Sequence, residues 1–168
     1  FGTSNFDTVK AIALDSSDNV YVAGYTDKSN FPQTAGGAQP IFGGGYGDAF
    51  VAKLGNGLTN IVQATYFGGS GGDVATALAL DGTGNVYISG RTGSPNLPGP
   101  AGAAQATYGG AYIAKFNGGL TTLIRSTYLG GSVGGNRNLD PSALALGAGN
   151  AVFVAGVTGT PDNFPGVA

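Results

Sequence analysis

The sequence predicts an all-β fold assembled from four-stranded antiparallel units, and two observations carry that reading. Blocks of strand-like sequence return at an interval of 66 residues, and the composition suits tight turns between short strands. Of 168 residues, 33 are Gly, and the nine acidic residues are all Asp. Helices draw on Glu, Lys, Ala and Leu, whereas Gly, Asp, Asn and Thr mark turns. A hydrophobic share of 42% is enough to bury a core, which separates this chain from a disordered Gly-rich tract.

The first run of each unit alternates small and large residues. It is Ala11-Ile12-Ala13-Leu14-Asp15, then Ala77-Leu78-Ala79-Leu80-Asp81, then Ala143-Leu144-Ala145-Leu146-Gly147. A turn follows, Asp15-Ser16-Ser17-Asp18-Asn19 in the first unit and Asp81-Gly82-Thr83-Gly84-Asn85 in the second. Asp accepts backbone hydrogen bonds and Gly or Asn adopts positive φ, so this is a hairpin turn. The second run is nearly all apolar: Val20-Tyr21-Val22-Ala23-Gly24, Val86-Tyr87-Ile88-Ser89-Gly90 and Val152-Phe153-Val154-Ala155-Gly156. Continuous apolar strands of that length imply burial on both faces. Gly24, Gly90 and Gly156 are expected to close this strand in each unit, followed by Thr26, Thr92 and Thr158 and then by Phe31-Pro32, Leu97-Pro98 and Phe164-Pro165. The third run, Ala49-Phe50-Val51-Ala52-Lys53-Leu54, matches Ala111-Tyr112-Ile113-Ala114-Lys115-Phe116 at a spacing of 62, so loops absorb the difference. The fourth ends in Thr65-Tyr66 and Thr127-Tyr128, each ahead of a Gly-Gly-Ser bend.

Four antiparallel strands per unit, with strands buried on both faces, describe the blades of a β-propeller. A β-solenoid would need a period nearer ~20 residues. The expected organisation is blade 1 at residues 1–66, blade 2 at 67–128 and the first two strands of blade 3 at 129–168, about two and a half blades in all.

These blocks resemble the bacterial β-propeller repeat family often called SBBP. The resemblance rests on Ala11 to Gly24, Phe31-Pro32, Asp48 to Leu54 and Ala64 to Ser70, and on the second unit throughout. The third unit departs from it: Gly147 stands where the others have Asp, Asn150 shifts the turn by one, and the loop from Gly134 to Asp140 is expanded. The resemblance implies a large secreted or surface-attached bacterial protein of a kind usually without a known enzymatic activity.

Composition excludes several chemistries. Cys and His are absent, which removes disulfides, thiolate and imidazole metal sites, and Ser-His or Cys-His nucleophile pairs. Seven scattered Lys and Arg form no basic stripe for nucleic acid, and no apolar run approaches the ~20 residues of a membrane-spanning helix. No cofactor is expected. Asp15, Asp18 and Asp81 are weak calcium candidates, but hairpin capping accounts for Asp15 and Asp81 without an ion. Asp7, Asp48 and Asp73 are expected to form turns ahead of strands, and Lys53 and Lys115 to share a structural role. The repeated aromatics Tyr21, Tyr87, Phe153, Tyr66 and Tyr128 are expected to pack between strands rather than stack on sugars. No position carries a catalytic-looking group that its repeat counterparts lack, which is what a single grafted site would show.

The expected function is therefore a non-catalytic extracellular structural or assembly module, a fibre or surface-layer component. The alternative is a glycan- or protein-binding propeller that acts as an adhesin. The chain begins at Phe1 and is expected to be a processed product or part of something longer. The expected partners are further blades of a longer chain or other copies of this one, and surface polysaccharide under the alternative. Neither nucleic acid nor membrane insertion is expected.

Overall fold

The computed structural model describes residues 6–99, 101–130 and 139–157. Thr158, Phe164-Pro165, Phe1-Gly2 and most of the expanded loop after Gly134 lie outside them. The strands are β1 (Asp7–Leu14), β2 (Val20–Thr26), β3 (Asp48–Leu54), β4 (Ile61–Phe67), β5 (Asp73–Leu80), β6 (Val86–Thr92), β7 (Ala111–Phe116), β8 (Leu123–Leu129), β9 (Asp140–Leu146) and β10 (Val152–Val157). They form an antiparallel sheet in the order β1-β2-β3-β4, a second in the order β5-β6-β7-β8, and a two-stranded sheet of β9 and β10. This is the expected all-β architecture of propeller-type blades, two four-stranded and one two-stranded among the described residues.

Each blade begins with the same irregularity. The β1–β2 register slips between Val9 and Ala11, and the β5–β6 register slips between Ala75 and Ala77. Gly24 and Gly90 sit opposite these bulges, where a Cβ would collide with the carbonyl oxygens of Thr8 and Val74. Gly156 faces the corresponding slip and the carbonyl oxygen of Asp140. The glycines are thus equivalent, but they do not close their strands: β2 and β6 run on to Thr26 and Thr92. The bulge brings the neighbouring backbone so close that only a residue without a side chain fits.

Period-two alternation sends each strand's side chains to two different cores. Tyr21, Ala23, Ala49, Val51 and Phe67 leave blade 1 toward blade 2, where they meet Val86, Ile88, Tyr112 and Phe116. Phe67 lies between Tyr112 and Phe116, with ring centroids 4.8 and 5.8 Å away. Val22, Phe31, Phe50, Ala52 and Tyr66 form a second core on the opposite face of blade 1. The central strands β2 and β6 are buried on both faces, as their apolar runs predict. The third apolar strand, β10, is mostly exposed, because β9 is its only neighbour in the sheet among the described residues.

Specific bonds fix one blade against the next. The Tyr21 hydroxyl donates to the Gly118 carbonyl (2.8 Å), and the Ala38 N–H donates to the Leu120 carbonyl (2.8 Å). The Asp73 N–H reaches back to the Gly47 carbonyl (2.8 Å). Thr76 of β5 donates its hydroxyl to the Pro141 carbonyl at the start of β9.

Candidate functional site

The hairpin turns are cages closed by one carboxylate. Asp15 Oδ1 accepts from the N–H groups of Ser17 (2.9 Å) and Asn19 (3.0 Å), and Oδ2 accepts from Asn19 Nδ2 (2.8 Å). Asp81 accepts in the same way from Thr83 (3.0 Å), Asn85 (2.9 Å) and Asn85 Nδ2 (2.9 Å). The side-chain bond from Asn19 holds the Asp15 carboxyl down at about 2. For Asp81 burial works the other way, yet the bonds from Asn85 and Thr83 keep it below the usual carboxylate range. Asp18 supplies the left-handed residue of the first turn (φ 60°), a place taken by Gly84 (φ 83°) in the second. Both oxygens of Asp15 and of Asp81 are thus engaged by protein donors. Among the described residues no group of three or more acidic side chains is arranged to hold a metal.

Lys53 and Lys115 complete these cages. Their ammonium groups lie 3.4 Å from Asp15 and from Asp81, and 5.0 and 4.7 Å from the ring centroids of Tyr21 and Tyr87. Each lysine thus joins the third strand of its blade to the first turn by an ion pair and a cation–π contact, the latter worth about 0.5–1 kcal/mol at an exposed site. Tyr66 and Tyr128 are tethers of another kind. Each hydroxyl accepts from a backbone N–H, Phe31 or Leu97, and donates to a carbonyl, Lys28 or Ser94, all at 2.9 Å. The aromatics of the repeat are therefore packing residues, and Phe153 alone among them lies open to solvent.

The chemically distinctive arrangement lies elsewhere, between blades 1 and 2. Asp48 and Asp73 do not precede their strands but begin them, paired with Thr26 and Thr92, and both are fully buried. Gly68 separates them: a Cβ there would lie 2.6 Å from Asp48 Oδ1 and 2.8 Å from Asp73 Oδ2. Asp73 accepts hydrogen bonds from Thr92 Oγ1 (2.5 Å), Ser94 Oγ (2.7 Å) and the Gly69 N–H (2.9 Å). Asp48 Oδ2 accepts from the Gly43 N–H (2.6 Å) and Gln39 Nε2 (3.3 Å), while its Oδ1 has no partner. Burial pushes the Asp48 carboxyl up to about 7, helped by the charge on Asp73 and opposed by the bonds from Gly43, Gly44 and Gln39. Burial also raises Asp73, against its hydroxyl and amide donors. Tyr112, whose hydroxyl is buried without a partner, is raised well above the usual phenol value by burial and by the same two carboxyls.

The pair is not repeated in the next unit. In the aligned third strands Gly110 takes the place of Asp48, and Tyr112 takes the place of Phe50. The signal was available in the sequence as two broken matches within one otherwise repeated block.

Among known families, the model described as the SBBP β-propeller repeat matches residues 1–32 and 64–98. No curated protein matches the chain.

Proposed function

We propose that this chain, which carries SBBP β-propeller repeats at residues 1–32 and 64–98, is a non-catalytic structural module whose two outer faces receive further blades of the same kind. One observation carries the reading. Ile12 and Leu14 of β1, opposite Val22 and Val20, are 64% and 59% exposed. Their counterparts Leu78 and Leu80, opposite Ile88 and Val86, pack into the core that blade 1 covers. The open face of blade 1 is therefore the repeat equivalent of a face that is elsewhere an inter-blade interface. The far end has the complementary relation. Phe153 is 62% exposed, whereas Tyr21, the residue at the same point of the first unit, is 1% exposed beneath blade 2. A face like that of blade 1 fits the end formed by β9 and β10, and the reverse holds at the other end.

Contacts of that kind are head-to-tail, so they continue as a filament or close as a ring. The occupant is another blade of this repeat, from a second copy or from further chain. An extracellular or cell-surface setting fits the sparse charge and the Gly-, Thr- and Asn-rich surface, and it is part of the same proposal.

Light scattering across a concentration series tests the reading. The 168-residue chain should self-associate, and Ile12→Asp with Leu14→Asp should return it to monomers with its β-structure intact. A wild-type chain that stays monomeric into the millimolar range, with both faces in water, would sink the assembly reading.

A further inference from the structure

The first inter-blade junction buries two carboxyl groups, and among the described residues no basic side chain pairs with either. Among the described residues, the ion pairs join Lys28 to Asp27, Lys53 to Asp15, Arg91 to Asp140 and Lys115 to Asp81; neither Asp48 nor Asp73 belongs to one. We propose that Asp48 and Asp73 hold a single proton between them, carried on Asp48 Oδ1, which makes the joint between blades 1 and 2 responsive to pH.

The hydrogen bonds assign the proton to one of the two acids. Asp73 receives three donors, the arrangement of an ionised carboxylate. Asp48 receives its donors on Oδ2 alone, and Oδ1 is buried with nothing to accept from. Protonation at Oδ1 converts an orphan acceptor into a donor beside a charged neighbour, and two like charges in one closed site cannot both persist cheaply. Among the described residues no basic group acts on either acid. The titratable groups electrostatically coupled to the pair are the phenols of Tyr66 on β4, Tyr112 on β7 and Tyr128 on β8, with Asp7 of β1 also acting on Tyr66. All three phenols are shifted upward, so each is neutral wherever Asp48 titrates.

The molecule contains its own control. In the repeat, Gly110 replaces Asp48, Gly130 replaces Gly68 and Leu139 replaces Asp73. There the Leu139 side chain fills the space beside Gly130 and is buried. The second junction is thus closed by a hydrocarbon plug where the first is closed by two acids. At this place only the first buries a carboxyl; the acid of the second junction, Asp140, is half exposed and paired with Arg91.

The direction of the response follows from linkage. An unfolded Asp titrates near 3.8, whereas folded Asp48 is raised to about 7, so the folded chain binds the extra proton. The junction is at full strength below the unfolded value, weakens as pH climbs between the two, and changes no further above about 7.

The experiment is a carboxyl-carbon NMR titration of the 168-residue chain, paired with urea unfolding from pH 4 to pH 8. The expected result is one Asp titrating near neutrality, absent in Asp48→Asn. The wild-type folding constant should fall by up to about tenfold per pH unit within that window, and Asp48→Asn should flatten the dependence. Asp48→Gly with Asp73→Leu, which copies the second junction, should fold and show the same flat profile. An Asp48 resonance that titrates near 4, or an unchanged profile in both variants, overturns the proposal. So does a neutral-pH unfolding midpoint raised by added calcium but not by acid, because a metal ion rather than a proton would then join the pair.

Discussion

Tyr66 and Tyr128 make the same two hydrogen bonds in successive blades although the loops they hold differ in sequence. Lys28 to Phe31 in one and Ser94 to Leu97 in the other are gripped at one N–H and one carbonyl, each at 2.9 Å. The fourth strand thereby anchors the long connection that leaves the second strand. Both hydroxyls are buried, so neither bond is shared with water.

Removing either hydroxyl takes from its loop one acceptor for a buried amide and one donor to a carbonyl. Tyr66→Phe and Tyr128→Phe should each cost about 1–3 kcal/mol in urea unfolding, by the penalty for orphaned polar groups. Equal costs would show that the tether works alike in both blades. A negligible cost in either would mean that water replaces the hydroxyl there.

Gly90 and Gly82 provide a matched pair within one hairpin. A methyl group at Gly90 would strike the Val74 carbonyl, whereas nothing lies within 4 Å of one at Gly82. Gly90→Ala should destabilise the chain by about 3 kcal/mol or more, and Gly82→Ala should lie within about 0.5 kcal/mol of wild type. Thermal or urea unfolding of the two variants checks the contrast. Similar effects would show that the bulge yields.

Acid should loosen the hairpin turns through Asp15 and Asp81. Their folded carboxyls are depressed, Asp15 to about 2, so their contribution is present above the unfolded value of 3.8 and is lost as pH falls toward the folded one. Asn19→Ala should raise the Asp15 titration toward 3.8, a shift read directly by carboxyl NMR. Because Asp48 acts in the opposite sense, stability should pass through a maximum near pH 4 to 5, with turn cages failing on the acid side.

Phe67 should be the costliest aromatic to truncate at the first junction. It is fully buried between Tyr112 and Phe116 of the other blade. Phe67→Ala should cost about 3–5 kcal/mol, which calorimetry would register as a large fall in Tm. A loss below about 1 kcal/mol would show that the two blades are not bound through this ring.

The strands were legible because their side chains obey period two and because each block appears more than once. Val20 to Gly24 and Val86 to Gly90 announce buried central strands, and Asp15 and Asp81 announce their turns. The broken match at Asp48 was legible, but its meeting with Asp73 was not, for the opposite reason. The two residues stand in different units at unrelated positions, and they meet only because the chain at Gly68 carries β4 of one blade into β5 of the next. A repeat compared with itself highlights what recurs, and this pair does not recur: Gly110 and Leu139 occupy its places. The Gly24 bulge was half legible, since the sequence marks the glycine but not the slip in register that demands it.

The bond from the Tyr21 hydroxyl to the Gly118 carbonyl, taken with that from the Ala38 amide to the Leu120 carbonyl, sets a handed fit between neighbours. Both partners on blade 2 lie in the single turn between β7 and β8, so a blade turned about its stacking direction would miss both at once. Apolar faces alone tolerate rotation and sliding. These two bonds act as a key in a lock, holding blade 2 against blade 1 in one pose where apolar contact alone would let it slide.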